Sequence, residues 1–200
     1  MKNKEKQIKK VFESAGGYAT SKKVRKKGIH PRDFKSAVDN KIITKIKPGI
    51  YKLTDTITTS NQGFVDVSYA VPDGVICLLS ALSYYELTTF NPRTISVAIN
   101  RKSWKPKIEY PPVKFYYFSE KQFEAGIDTI IINKHKVRIY RREKTICDCF
   151  RYRNKLGIDI AKEALSEYLK RKDRDLEKLM KYAKICRVES IMKIWISAMI

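Results

Sequence analysis

Residues 43–52 read Ile43-Thr44-Lys45-Ile46-Lys47-Pro48-Gly49-Ile50-Tyr51-Lys52, and they are the most informative part of the amino-terminal region. Apolar and polar residues alternate on both sides of Pro48-Gly49, a pair that favours a tight turn. The pattern predicts two antiparallel strands, residues 42–46 and 50–53, that are joined at Lys47-Pro48-Gly49.

Three short helices are predicted before this hairpin. In the first, apolar residues recur at helical spacing over residues 8–15, and Gly16-Gly17 favours its end. The second helix covers residues 21–27, and the third runs over residues 30–40 with a proline in its first turn, where a missing N–H costs little. Three helices followed by a hairpin are typical of a winged helix-turn-helix, which we expect over residues 1–54.

Positive charge is concentrated on this module. Residues 1–54 carry sixteen Lys and Arg against four Asp and Glu, a net charge of +12, while the whole chain of 200 residues carries +21. In a winged helix-turn-helix the third helix enters the major groove and the wing lies along the backbone, so we expect double-stranded DNA as the partner. A solvated lysine-rich face, or a winged module that serves as a protein–protein adaptor, is the alternative.

The predicted DNA contacts divide by their role. Basic residues of the second helix and of the wing are placed on phosphates, and outward residues of the third helix are placed on base edges. The phosphate contacts are Lys22, Lys23, Arg25, Lys26, Lys27, Lys45, Lys47 and Lys52. The candidates for base edges are Arg32, Lys35 and Ser36.

A polar linker over residues 55–63 is expected to lead into a second domain over residues 64–200. The elements predicted there are an apolar helix over 75–86, strands over 95–99 and 113–118, a hairpin over 128–140, and about four helices after Arg141. A small mixed sheet followed by a group of helices, together with the winged module, makes the predicted fold class α+β.

Neither a cofactor nor a metal is predicted. The four cysteines, Cys77, Cys147, Cys149 and Cys186, form no C-x-x-C pair, and neither histidine lies near one of them in sequence, so we expect buried reduced thiols. No apolar run approaches the roughly 20 residues that cross a bilayer, and no signal-peptide pattern is visible. These features predict a soluble, cytoplasmic chain with no membrane partner.

Two strings of the second domain are distinctive. They are Val71-Pro72-Asp73-Gly74-Val75-Ile76-Cys77-Leu78-Leu79-Ser80-Ala81-Leu82 and Val137-Arg138-Ile139-Tyr140-Arg141-Arg142-Glu143-Lys144-Thr145-Ile146-Cys147-Asp148-Cys149-Phe150-Arg151-Tyr152-Arg153. Both resemble strings of the AbiEi antitoxin family, as do the order of a winged helix before this domain and the wing end Gly49-Ile50-Tyr51. The resemblance covers essentially the whole chain, and the second string is its more specific part.

The resemblance implies a bacterial type IV toxin–antitoxin system that is linked to abortive phage infection. It implies a nucleotidyltransferase-like toxin as the functional partner, neutralised through the carboxy-terminal domain without a stable complex. It also implies that the chain represses its own operon at inverted repeats in the promoter, with DNA contacts over residues 21–27, 30–35 and 45–52. Ser21 thereby joins the predicted DNA-binding residues. Inverted repeats require two copies side by side, and either cooperating monomers or a dimer on DNA meets that requirement.

The second string carries a cluster of basic residues with one aromatic residue among them. Its members are Arg138, Tyr140, Arg141, Arg142, Arg151 and Arg153. Three interpretations stay open: a second DNA or RNA surface, in which an arginine beside an aromatic ring stacks on a base; internal pairing with Glu143, Asp148 and Asp159; or a surface that faces the toxin.

Catalysis is not predicted, because the chain has no nucleophile elbow, glycine-rich phosphate loop or H-E-x-x-H motif. A metal nuclease would need carboxylates that converge on Mg²⁺, yet Glu143 and Asp148 lie five residues apart on one predicted helix and diverge. Pairing of Asp148 with Lys144 or Arg151 fits helical spacing better. We therefore predict a non-enzymatic protein, and the resemblance to the AbiEi family implies that it is an antitoxin and autorepressor. The alternatives are a stand-alone winged-helix repressor whose carboxy-terminal domain senses a ligand or dimerises, and a nucleic-acid enzyme.

Overall fold

The computed structural model describes residues 2–55 and 61–200, and within them the fold is mixed α and β, with eleven helices and two sheets. The chain forms two compact units. The first unit comprises Met1–Pro72, Pro106–Pro112 and Ile131–Lys136, and the second comprises Asp73–Lys105, Val113–Ile130 and Val137–Ile200. Most of the predicted linker, residues 56–60, lies outside the described residues.

The first unit begins with helices and a small sheet. Its elements are α1 (Lys2–Glu13), β1 (Tyr18–Thr20), α2 (Ser21–Lys26), α3 (Pro31–Asp39), β2 (Ile43–Lys47), β3 (Ile50–Leu53) and α4 (Gln62–Ala70). The strands are antiparallel in the order β1-β3-β2, and Thr44 lies opposite Lys52. The three predicted helices and the hairpin are confirmed, whereas strand β1 was not predicted.

Local sequence signals set the ends of these helices. Gly16 and Gly17, with φ of +70° and +87°, turn the chain after α1 in a conformation that side chains with a Cβ rarely adopt. The Thr20 hydroxyl accepts a hydrogen bond from the Lys23 N–H at 3.1 Å and caps α2. The His30 imidazole does the same for the Arg32 N–H at 3.2 Å and caps α3. The core of this unit lies between α1, α3 and the sheet, around Phe12.

The second unit contains a mixed sheet and the carboxy-terminal helices. Its elements are β4 (Val75–Ile76), α5 (Leu78–Tyr84), β5 (Ile95–Asn100), β6 (Val113–Phe118), α6 (Glu120–Glu124), β7 (Ile127–Ile132), β8 (His135–Tyr140), α7 (Arg142–Arg151), α8 (Arg153–Leu156), α9 (Ile158–Leu169), α10 (Leu176–Cys186) and α11 (Glu189–Met199). The strand order is β6-β5-β4-β8-β7; β5 is parallel to β6 and antiparallel to β4, which is parallel to β8. The tip of the β7–β8 hairpin belongs to the first unit.

Two sequence-based predictions about these elements are wrong. The apolar run that was predicted as one helix over 75–86 begins as strand β4, which pairs with β5 and β8, and its helix starts only at Leu78. A short, fully buried strand and a buried helix have the same composition, so periodicity cannot separate them. The stretch 62–67, predicted as linker and polar segment, opens helix α4.

Helix α7 is the central helix of the second unit. Its residues 143–150 are all buried, so the helix is surrounded by protein on every side. Within it, Lys144 and Asp148 form a buried ion pair, in which the ammonium donates to both carboxylate oxygens at 2.7 and 2.6 Å. The ammonium also lies 4.4 Å from the ring centre of Tyr140. Burial, the largest single effect, would lower the pKa of Lys144, but the charge and hydrogen bond of Asp148 together with the nearby Cys186 and Cys147 thiols raise that pKa.

This ion pair predicts a specific pattern of stability changes. Lys144→Met or Asp148→Leu alone leaves a buried charge without its partner and should lower the free energy of unfolding by about 3–5 kcal/mol. The double variant Lys144→Met/Asp148→Leu removes both charges and should recover most of that loss. The measurement is guanidinium denaturation followed by tryptophan emission, because both tryptophans, Trp104 and Trp195, belong to the second unit.

The matched control is Lys170→Met, which breaks the exposed pair with Glu167 and should change stability little. A double variant that is no more stable than either single variant would contradict this description of the core.

Candidate nucleic-acid interface

Helix α2 presents an exposed basic face. The side chains of Lys22, Lys23, Arg25, Lys26 and Lys27 are all exposed, and only Val24 of this helix is buried. Four of the five have no ion-pair or side-chain hydrogen-bond partner within residues 2–55 and 61–200, and the fifth, Arg25, donates only to a carbonyl of its own helix at 3.4 Å. Ser21 is half-buried and begins the helix, with its N–H bonded to the Gly49 carbonyl at 3.0 Å.

Helix α3 carries two further exposed cations. Arg32 and Lys35 are three residues apart, share one side of the helix, and form no side-chain bond with any described residue. Ser36 is placed differently: it is half-buried and lines a cavity of about 110 Å³ at the α1–α3 contact, together with Glu5 and Asp33. The structure therefore brings Arg32 and Lys35 to the surface and turns Ser36 toward α1.

The lysines of the β2–β3 hairpin have partners inside the first unit. Lys45 donates to Glu109 at 2.7 Å, a hydrogen bond that raises the pKa of Lys45. The ammonium of Lys47 donates to the carbonyl of Ala70 at 2.7 Å, at the carboxyl end of α4, where the helix dipole favours a cation. The Lys52 side chain is 13% exposed and donates to Asp66 at 2.6 Å.

Asp66 lies at the centre of a buried polar network in the first unit. Its carboxylate is 1% exposed and accepts from the Tyr18 hydroxyl as well as from Lys52, each at 2.6 Å. Gln62 in turn donates to the Tyr18 oxygen at 2.6 Å, and the Tyr18 ring stacks on Tyr69 at 4.2 Å between centres. Burial and the neighbouring carboxylate raise the pKa of Tyr18, so it stays a hydrogen-bond donor. This network joins β1, β3 and α4.

Sequence reasoning missed the network because its acidic member lies in a stretch predicted as polar segment. One signal was present: Asp66 is flanked by Phe64, Val65 and Val67, and an acidic residue inside an apolar run is a candidate for a buried, paired carboxylate.

The five arginines of residues 137–153 all form bonds within the second unit. Arg141 pairs with Asp128 at 3.4 Å, and Arg142 pairs with Glu143 at 3.1 Å and with Asp173 at 2.7 Å. The remaining three donate to backbone carbonyls: Arg138 to Asp73, Arg151 to Cys186 and Arg153 to Phe150, at 2.9, 3.1 and 2.9 Å.

Tyr140 is fully buried, and its hydroxyl donates to the carbonyl of Phe123 at 2.7 Å. Its ring is therefore packed inside the protein and is not offered to a base. Internal bonding of the guanidinium groups is the interpretation with direct geometric support, although its acidic partners differ in part from those predicted: Asp148 pairs with Lys144, and Asp159 lies 3.7 Å from Lys162.

Glu143 and Asp148, the carboxylates considered for a metal nuclease, both accept hydrogen bonds from other side chains of the protein. Asp148 receives two hydrogen bonds from Lys144 and one from the Cys186 thiol at 3.3 Å, and Glu143 accepts from the Tyr168 hydroxyl at 3.0 Å. The four cysteines are buried and unbridged, and burial raises the pKa of the Cys186 thiol. Across residues 2–55 and 61–200, no three His, Cys, Asp or Glu side chains are grouped as a metal site would need.

Comparison with protein-family models gave no match to this chain, and comparison with curated proteins gave none either. Among the helices described, none is both long and apolar enough to span a membrane.

Proposed function

We propose that the first unit is a winged helix-turn-helix that binds double-stranded DNA through α2 and α3. The observation that carries this proposal is the set of cations on these two helices that have no partner among the described residues: Lys22, Lys23, Lys26, Lys27, Arg32 and Lys35. Exposed cations that are not neutralised within the protein are available to replace the counterions of a phosphate backbone.

In this proposal the two helices have different roles. The cations of α2 bind phosphates and set the register of the protein on the duplex, while Arg32 and Lys35 on α3 reach base edges in the major groove. Ser36 is left out of the base contacts because it faces α1.

The hairpin is assigned a smaller electrostatic role than the sequence alone indicates. The ammonium groups of Lys47 and Lys52 already donate hydrogen bonds to Ala70 and Asp66. Releasing either ammonium would leave a buried oxygen without its donor. Lys45 is the exception, since its pair with Glu109 is more than a third exposed, and such surface pairs contribute little and exchange readily. Lys45 is therefore the wing residue that we assign to a phosphate.

We further propose that the chain is the antitoxin of a bacterial type IV toxin–antitoxin system and represses its own operon. This proposal rests on the resemblance of residues 71–82 and 137–153 to the AbiEi family. In this proposal the second unit neutralises a nucleotidyltransferase-like toxin without a stable complex and without being an enzyme. Two copies occupy the inverted repeats of the promoter.

One feature of the second unit favours the alternative of a repressor that senses a ligand. A cleft of about 240 Å³ is lined by Tyr85, Asp128, Arg141, Arg142, Glu143 and Lys178. Its mixed charges suit a small polar molecule. If such a molecule released the protein from DNA and the neighbouring gene product were harmless, the stand-alone repressor would be the better description.

The proposed division between α2 and α3 predicts two kinds of binding defect. Lys22→Ala/Lys26→Ala should weaken binding to specific and random duplexes alike, and should lower the slope of log affinity against log salt by about two, because two phosphate contacts are lost. Arg32→Ala should instead reduce discrimination at one base pair by about 1–3 kcal/mol. Fluorescence anisotropy with a promoter duplex and a scrambled duplex measures both.

Lys10→Ala is the matched control, since Lys10 is exposed on α1 and lies outside the proposed interface. Equal losses on both duplexes for Arg32→Ala would contradict the role given to α3, and an unchanged salt slope for the α2 variant would contradict the role given to α2.

Antitoxin function and repression should be separable in the full-length chain. Lys22→Glu/Lys26→Glu reverses charge at the proposed DNA face and leaves the second unit unaltered. It should lose repression of a reporter fused to the operon promoter, yet still restore growth to cells that express the neighbouring nucleotidyltransferase-like gene. Growth on induction and reporter activity are measured in the same strains.

The wild-type chain and the empty vector are the controls. If the wild-type chain does not restore growth, the antitoxin proposal fails while the DNA-binding proposal stands. If the charge-reversed variant represses normally, the DNA-binding proposal fails.

A further inference from the structure

The most exposed large hydrophobic side chain of the second unit is an indole. Trp104 is 95% exposed, whereas tryptophan is on average among the more buried residues. It lies in the sequence Arg101-Lys102-Ser103-Trp104-Lys105, which leads away from the end of β5. Three of these five residues are cations, and all five are exposed. An indole left in water among positive charges therefore requires an explanation.

The start of this segment is held in place by the sheet. The Arg101 N–H donates to the Phe118 carbonyl at 2.8 Å, the Lys102 N–H donates to the Asn100 side-chain oxygen at 3.0 Å, and the Ser103 N–H donates to the Asn100 carbonyl at 2.9 Å. These bonds fix a turn just before Trp104. Because residues 101–103 are already ordered by these bonds, binding a ligand costs less conformational entropy.

Aromatic and basic side chains continue onto the neighbouring edge strand, β6. The Lys105 ammonium lies 6.0 Å from the ring centre of Phe115, and Tyr117, two residues further along the same strand face, is 45% exposed. Within residues 2–55 and 61–200, the one acidic contact of the segment is a loose pair between Lys102 and Glu120 at 3.6 Å, with both side chains mostly exposed. Such a pair offers little competition to a phosphate.

The chemistry of this surface selects among classes of partner. Cores of protein–protein interfaces are depleted in charged residues, so three cations around one indole fit them poorly. Binding to a membrane surface grows with the apolar area that is inserted, and this segment supplies a single large apolar side chain. Unpaired bases stack on aromatic rings while lysine and arginine neutralise the adjoining phosphates. In an undistorted duplex the base faces are already stacked on one another, so an indole has no open face to contact.

We propose that Trp104 and its flanking cations form a binding site for single-stranded nucleic acid on the second unit. The indole stacks on an unpaired base, and Arg101, Lys102 and Lys105 contact the neighbouring phosphates. This inference does not depend on the proposed function, because it concerns different residues and a different form of nucleic acid.

The test uses the full-length protein and a 20-nucleotide oligothymidylate. Stacking should quench the emission of Trp104, and the quench should be absent in Trp104→Phe, which keeps a ring but leaves only Trp195 to emit at long wavelength. Trp104→Ala should weaken binding of the oligonucleotide by about 5- to 150-fold, the range that alanine substitution of a stacking aromatic produces. Its binding to a 20-base-pair duplex should change less than twofold.

Two further variants complete the test. Ile194→Ala removes another exposed apolar side chain of the second unit and should leave oligonucleotide binding unchanged. Lys22→Ala/Lys26→Ala should retain the quench of Trp104, so that a failure of the proposed duplex interface on α2 is distinguishable from a failure of this site.

Three results would overturn the inference. The first is equal affinity of the wild-type chain and Trp104→Ala for the oligonucleotide. The second is an equal loss of affinity for the duplex and for the oligonucleotide. The third is emission that responds to vesicles containing phosphatidylserine but not to the oligonucleotide, which would assign the segment to an anionic membrane surface.

Discussion

The first unit depends on one buried carboxylate. Asp66 is almost completely removed from water, and an ionised carboxylate in that position is stable only if donors surround it. Tyr18 from β1 and Lys52 from β3 supply those donors, each at 2.6 Å, and α4 supplies the carboxylate itself. Loss of Asp66 would remove the acceptor of both bonds, and loss of either donor would leave the buried carboxylate with one hydrogen bond fewer. The hairpin, the added strand and the fourth helix are therefore fixed to each other by charge as well as by packing.

This constraint decides which cations remain available. Because Asp66 and the end of α4 bind Lys52 and Lys47, these two hairpin lysines stabilise the unit, whereas the exposed cations of α2 and α3, like several on α1, have no side-chain partner among the described residues. In the second unit, the guanidinium groups near α7 are likewise bonded to carboxylates and carbonyls of that unit. A net charge of +21 thus overstates the charge available to a partner, and the proposed DNA interface rests on the position of the unpaired cations.

Local patterns in the sequence were sufficient for the elements with clear periodicity, such as α1 with its glycine end and the four longer helices after Arg141. They failed where tertiary pairing decides the outcome. Val75 and Ile76 form a strand only because β5 and β8 flank them, and a run of apolar residues does not carry that information. For the candidate site, the α2 and α3 cations could be named from charge and spacing. The hydrogen bonds of Lys47 and Lys52 could not be predicted, because their partners lie 23 and 14 residues away on a helix that was not predicted.

We propose that α2 binds DNA, whereas Lys47 and Lys52 of the hairpin stabilise the first unit. Chemical modification of lysine amines, measured for each residue by mass spectrometry, tests this division. Free protein should show fast labelling at Lys22 and Lys26 and slow labelling at Lys47 and Lys52, whose ammonium groups are bonded to Ala70 and Asp66. Addition of a promoter duplex should protect Lys22 and Lys26 and leave the slow rates of Lys47 and Lys52 unchanged. Fast labelling of Lys47 and Lys52 that disappears when DNA is added, with no protection of α2, would contradict the claim.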